Sequence, residues 1–280
     1  MKTNIIKHIR DDFWFYIMVL ITVMFVGFPL LWMALSSLKP SVELFKMPPQ
    51  IFPKNPTLLW YKNTFSNSTV VRYFFNSFLV ASSTMIIDMV IATLGAYSLA
   101  RFSYRGRRFI MMTVLSAYCL PPIMLMIPLY RIIAALGLNS SYLGVIIGHV
   151  TFTFPFSVWL LIPFFQKVPK EMEEAAIVDG ATSLKIFSAI MLPLCVPGIL
   201  STGIMAFILS WNEYLLSSVL IISDTMKTLT VGLANYISST EIDWGAIMAL
   251  GTATTLPIVI MFSAIQKYFV EGLTAGAVKG

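Results

Sequence analysis

Few side chains in this sequence have the type and spacing to do chemistry. Asp88 is the sole ionisable group deep inside a long apolar stretch. A carboxylate in such surroundings serves as a proton site, as a structural partner for another polar side chain, or as part of a cavity wall. No second acidic group or lysine lies at comparable depth, so pairing or cavity lining is expected over a relay. The only histidines are His8 and His149, and neither has a cysteine or acidic cluster at ligand spacing, so no metal centre is expected. For His149 a hydrogen bond to a neighbouring helix is the first expectation, and a place in the wall of a polar cavity the sharper alternative. Asn212, Glu213 and Tyr214 interrupt another apolar run, where they line a pathway or cap a helix end. No Gly-x-x-x-x-Gly-Lys-Ser/Thr loop occurs, so the chain is not its own P-loop ATPase. Neither catalytic residues nor a cofactor are assigned.

The elements that hold these residues follow from composition. At 58% hydrophobic and 11% charged, the 280-residue chain lies outside the soluble range. Stretches long enough to cross a bilayer are Phe13 to Leu38, Tyr73 to Ala100, Phe109 to Ile133, Tyr142 to Phe165, Met191 to Ile222 and Gly245 to Ile265. The expected architecture is all-α, a polytopic membrane protein with six transmembrane helices. The first run is long and lacks a small-x-small cleavage site, so it reads as a retained span and not a signal peptide.

With six spans both termini share one side. That side carries 12 Lys and Arg against 7 on the other, which places the termini in the cytoplasm. Arg101, Arg105, Arg107 and Arg108 are the tightest marker. The net charge of +6 is scattered between apolar runs and forms no basic face for nucleic acid. Cys119 and Cys195 lie within apolar stretches and read as small packing residues.

The outer segment Lys39 to Arg72 holds Pro40, Pro48, Pro49, Pro53 and Pro56 and reads as an extended flap. Small and polar residues recur every fourth position at Thr84, Asp88, Ala92, Ala96 and Ala100, at Gly198, Thr202, Ala206 and Ser210, and at Gly245, Ala249 and Ala253. Such stripes let membrane helices approach until backbones touch.

The loop between spans four and five reads Pro169-Lys-Glu-Met-Glu-Glu-Ala-Ala-Ile-Val-Asp-Gly180. After Pro169, the acidic residues Glu171, Glu173 and Glu174 crowd a first turn, where they meet the positive end of a helix dipole. Gly180 is the residue able to take the left-handed conformation that stops this helix, and Ser183 is positioned to cap a second one. The result is an elbow whose first helix leaves Ala175 and Ala176 bare, with Glu174 beside them, for another protein's groove.

These residues carry a resemblance. Glu174-Ala175-Ala176, three residues, Gly180, nine residues, then Ile190-x-Leu192-Pro193 matches the EAA loop of binding-protein-dependent ABC importer permeases at every consensus position. Asn76-Ser77, the run from Ala96 to Phe102 with Arg105-Gly-Arg-Arg108, Trp211-Asn212-Glu213-Tyr214 and the tail from Phe269 to Gly280 resemble the carbohydrate-type permeases, in particular the maltose-permease G-like subunits. The resemblance implies the ABC type I importer permease fold in a prokaryotic cell membrane. It implies residues 1–71 as N-terminus, first span and flap, 72–267 as the permease domain with the coupling loop at 169–193, and 268–280 as a cytoplasmic tail.

Further implications concern partners. They are a homologous second permease, two copies of an ABC ATPase subunit, an extracytoplasmic solute-binding protein, a sugar substrate and membrane lipid. Glu174, Ala175, Ala176 and Gly180 would contact the ATPase, while Asp179, Ile190, Leu192 and Pro193 would hold the elbow and its exit angle. Two other readings stand beside this one: a proton-coupled secondary transporter using Asp88, and a non-transporting membrane scaffold.

Overall fold

The computed structural model of the chain describes the backbone of residues 2–237 and 242–277, and side chains for residues 13–234, 242–264 and 266. The side chains of Lys2, Lys7, His8 and Arg10, and the tail motif's Val278, Lys279 and Gly280, lie outside the described residues. Every regular element among the described residues is helical. In chain order they are α1 (Lys2–Ser36), α2 (Ser41–Leu44), α3 (Leu59–Ser66), α4 (Ser68–Arg101), α5 (Arg107–Cys119), α6 (Pro122–Ala135), α7 (Tyr142–Lys167), α8 (Lys170–Val178), α9 (Ser183–Ile186), α10 (Leu192–Trp211), α11 (Leu215–Leu220), α12 (Leu229–Ile237) and α13 (Trp244–Ala277).

Among the described residues five helices are long and apolar enough to cross a membrane, and α5 with α6 makes a sixth span if the pair is counted as one. This third span is not the straight helix expected over Phe109 to Ile133. It bends by 104° between Cys119 and Pro122, where consecutive prolines at 121 and 122 withhold two backbone N–H groups. The fifth span also departs from expectation. It ends at Trp211, with α11 a separate short helix, and it begins earlier, at Ser183. The segment Phe187–Met191 is a π-helical turn immediately before α10, an adjustment that accommodates the missing N–H of Pro193.

The chain divides into two compact units, residues 1–68 with 235–256, and residues 69–234 with 257–280. In the first, α1 carries exposed apolar side chains such as Phe15, Leu20 and Phe25, a surface suited to lipid or a protein partner in the membrane. The outer flap is more ordered than an extended reading allows. Glu43 accepts hydrogen bonds from Lys54 N at 2.9 Å, Asn55 N at 3.1 Å and Asn55 Nδ2 at 3.0 Å. Lys39 Nζ donates to Gln50 O at 2.6 Å and sits 4.3 Å from the Trp32 ring centre. Short helices α2 and α3 therefore form among the prolines, held by side-chain bonds that proline spacing does not announce.

In the second unit, the small-residue stripes lie inward as expected. Thr84, Asp88, Ala92 and Ala96 of α4 are fully buried, as are Thr202 and Ala206 of α10. Without a hydrophobic drive in lipid, this close packing is what holds the helices together. Cys195 is buried among these helices, whereas Cys119 is exposed at the end of α5, contrary to its expected packing role. The start of α7 is tied down by Ser141, whose hydroxyl accepts from Gly144 N at 3.0 Å. A side chain at residue 144 would place its Cβ 2.2 Å from the Leu138 carbonyl oxygen, so the turn closes only over glycine.

Candidate functional site

The elbow forms as its residues dictate. Helix α8 starts directly after Pro169 with Glu171 and Glu173 in its first turn. It stops at Gly180, whose φ of +77° is the left-handed conformation expected there. Gly180 N donates to Ile177 O and Ala181 N to Ala176 O, each at 2.9 Å, the paired bonds of a Schellman stop. The cap of α9 is Thr182, whose hydroxyl accepts from Lys185 N, and not Ser183, which is the first helical residue. The cap falls one residue earlier because Thr182 keeps the extended ψ of 156° that lets its side chain reach back over the first turn.

Glu174, Ala175, Asp179 and Gly180 are exposed, and Ala176 is half-buried against the core below. Ile190 and Leu192 are half-buried and Pro193 exposed, at the π-turn and the first turn of α10. One face of α8 thus rests on the protein and the other is open.

What rests it there was not legible in the motif. Arg101, the last residue of α4, makes an ion pair from Nε to Glu173 Oε1 at 2.8 Å and donates from Nη2 to the Val168 carbonyl. One guanidinium therefore grips both the first turn of α8 and the residue that directly follows α7. Beside it the Tyr97 ring lies 4.9 Å from Phe187, 5.4 Å from Phe102 and 5.7 Å from Phe165, centre to centre. The sequence marks Arg101 only as part of a basic cluster, since the pair spans 72 positions of chain and no local pattern encodes it.

The interior polar residues fall into two groups. Asp88, with no exposed surface, accepts from Ser157 Oγ of α7 at 2.5 Å through Oδ2, with the Thr153 hydroxyl a second side-chain partner of the carboxylate. This is the structural pairing expected in preference to a relay. His149 joins three helices: Nδ1 lies 2.7 Å from Ser210 Oγ of α10, and Nε2 lies 3.0 Å from Ser217 Oγ of α11 and 3.2 Å from Glu213 Oε2. Glu213 accepts from Leu216 N at 2.7 Å, Ser217 N at 2.9 Å and Ser217 Oγ at 2.9 Å, so it caps α11. Asn212 Nδ2 donates to Ile208 O at 3.0 Å.

His149, Asn212 and Glu213 also line a cavity of about 400 Å³ with Ser210, Thr153, Tyr118 and Tyr214. Tyr118 escaped the sequence reading because its place here depends on packing against Phe156 and Trp159 of α7, which no local pattern encodes. Among the described residues no group of three or more His, Cys, Asp or Glu could hold a metal ion.

The chain is 34% identical to the trehalose/maltose transport system permease protein MalG of Thermococcus litoralis, covering 90% of this chain and 91% of that one. It is also 34% identical to the sulfoquinovosyl glycerol transport system permease protein SmoH of Agrobacterium fabrum, covering 90% and 89%. Its fold matches a chain in the crystal structure of a bacterial ABC transporter involved in the import of the acidic polysaccharide alginate, with a TM-score of 0.82 at 20% identity over 96% of this chain and 98% of that one. The family model for the inner-membrane component of binding-protein-dependent transport systems matches residues 89–274, and with two thirds of its length inside that match the chain belongs to this family of multi-pass membrane permeases.

Proposed function

We propose that the chain is the permease subunit of a sugar importer, forming half of a transmembrane pathway with a homologous second permease. Two copies of a separate ATPase subunit drive it through α8, and an extracytoplasmic solute-binding protein delivers the sugar to it. The observation that carries the coupling role is the two-sidedness of α8. Glu174 and Ala175 are exposed on a helix stopped by the left-handed Gly180, while Arg101 holds the opposite face to the end of α4. A helix gripped at its base and bare on its outer face suits a lever seated in a partner's cleft. Asp179 ends this helix, and Ile190, Leu192 and Pro193 shape its exit into α10.

Sugar as cargo is supported by relatives named for trehalose, maltose and sulfoquinovosyl glycerol. On this reading α8 faces the cytoplasm, as do both termini, in agreement with the excess of Lys and Arg on that side. Closure of the ATPase dimer would move the elbow, and with it α4 and α10, between inward-open and outward-open arrangements. A proton-coupled carrier built on Asp88 is less well supported, since Ser157 already engages its carboxylate.

The test is purification of the tagged chain from native membranes in mild detergent, with stoichiometry by mass spectrometry. One homologous permease and two ATPase copies are expected, with Glu174→Lys losing the ATPase alone. A chain recovered without either, yet able to transport in liposomes, would overturn the proposal.

A further inference from the structure

The cavity beside the α5–α6 bend has a composition that selects among cargoes. Its walls are Tyr118, Phe152, Tyr214, Leu209 and Leu215, and its volume of about 400 Å³ falls in the roughly 300–1,000 Å³ range of small-molecule sites. Tyr118 is held in place, its ring stacked at 10° on Trp159 with centres 6.4 Å apart, and tilted by 34° against Phe156 at 5.5 Å. A fixed aromatic face suits the C–H face of a sugar ring, whose hydrogens are weakly positive against the negative ring face.

Polar groups share this lining. Asn212 spends one amide N–H on Ile208 O, which leaves its carbonyl oxygen and second N–H for a ligand. Thr153, only 3% exposed, also lines the cavity, with its hydroxyl engaged by the Asp88 carboxylate. Proline at 122 also withholds the N–H that the Tyr118 carbonyl would receive in a continuous helix.

Charge decides the class of sugar. The ionisable residues of the lining are His149, Glu213 and the two tyrosines, with no Lys or Arg among them. His149 and Glu213 lie 3.2 Å apart and engage each other, Ser210 and Ser217. An acidic sugar would therefore meet a carboxylate and no unpaired cation, and would lose its hydration without compensation. A neutral sugar loses only hydroxyl hydration, part of which Asn212 replaces.

We infer that this cavity is a binding subsite for one ring of a neutral sugar, stacked on Tyr118 and hydrogen-bonded by Asn212, and that it disfavours uronic and sulfonated sugars. The inference rests on the reading of the chain as a sugar permease, and it separates cargoes of the trehalose and maltose kind from those of the alginate and sulfoquinovosyl kind, both represented among the similar proteins.

The test uses the purified membrane complex, containing this chain, its partner permease and the ATPase, without the binding protein. Saturation-transfer NMR is recorded with maltose, trehalose and a uronic acid disaccharide as probes. Transfer to C–H protons of at least one neutral sugar is expected, with little to the uronate. Tyr118→Ala and Asn212→Ala, each checked for intact stoichiometry and thermal midpoint, should weaken the neutral-sugar signal roughly tenfold, the loss set by one good contact. No transfer from either neutral sugar, an equal or stronger uronate signal, or full signal in both variants would overturn the inference while leaving the permease assignment standing. Failure to recover the ATPase and second permease would instead remove that assignment before any sugar is added.

Discussion

Arg101 Nε at the end of α4 lies 2.8 Å from Glu173 Oε1 in the first turn of α8, with the two side chains 6% and 19% exposed. An ion pair this sheltered is screened less than a surface pair, and it ties a membrane-spanning helix to the elbow that follows α7. Arg101→Glu and Glu173→Arg are each expected to destabilise the elbow by about 1–3 kcal/mol, between the values for exposed and buried pairs. The double reversal should recover part of that loss, though not the Arg101 bond to the Val168 carbonyl. ATPase retention on purification reads the effect, and a double variant as poor as the worse single one would show that the pair does not position α8.

Gly180 supplies a second prediction. At φ +77° a β-branched side chain is strained by roughly 1–2 kcal/mol, and proline cannot reach that angle at all. Gly180→Pro should abolish ATP-driven uptake while the chain still inserts in the membrane, whereas Gly180→Asn should retain much of it. Uptake in proteoliposomes, beside a membrane-fraction blot, makes the comparison. Normal uptake in the proline variant would rule out the elbow as the coupling element.

The Glu213 carboxylate gathers two backbone N–H groups, the Ser217 hydroxyl and His149 Nε2. Glu213→Ala leaves these donors unmet at a cost of about 1–3 kcal/mol, so the thermal midpoint in detergent should fall by several degrees. Glu213→Gln keeps one acceptor oxygen and should fall less. Equal midpoints for the wild type and Glu213→Ala would mean that water satisfies the same donors.

Outside the membrane, Glu43 offers a pH test. The Lys54 backbone N–H, with help from Asn55 and the charge of Lys46, holds its carboxyl below the ordinary 4.5 despite the opposing effect of burial. A carboxyl with a lowered folded value stabilises the fold above its unfolded value, and that contribution fades as pH falls through the folded one. Hydrogen exchange at Lys54 and Asn55 should therefore quicken, after correction for intrinsic rates, as pH drops below about 4.5. In Glu43→Gln the same amides should exchange quickly at neutral pH with no further loss on acidification.

What the sequence by itself determined were the properties written in local pattern. Apolar run length decides whether a helix spans a membrane, the four-residue stripe through Asp88 and Ala96 decides which face of α4 turns inward, and Pro169 and Gly180 bracket α8, because each acts within a few residues of itself. Local chemistry also favoured Asp88 as a paired group and His149 as a hydrogen-bonding one. The tertiary structure decided who the partners are. Ser157 reaches Asp88 from 69 positions away, Glu173 reaches Arg101 from 72, and Ser210 and Ser217 reach His149 from 61 and 68. Hydropathy could not show that the third span bends by 104°, since an apolar run scores alike whether straight or broken. Side-chain pairing across helices depends on rotation and depth in the bundle, which packing of the whole chain sets and no short window of residues contains.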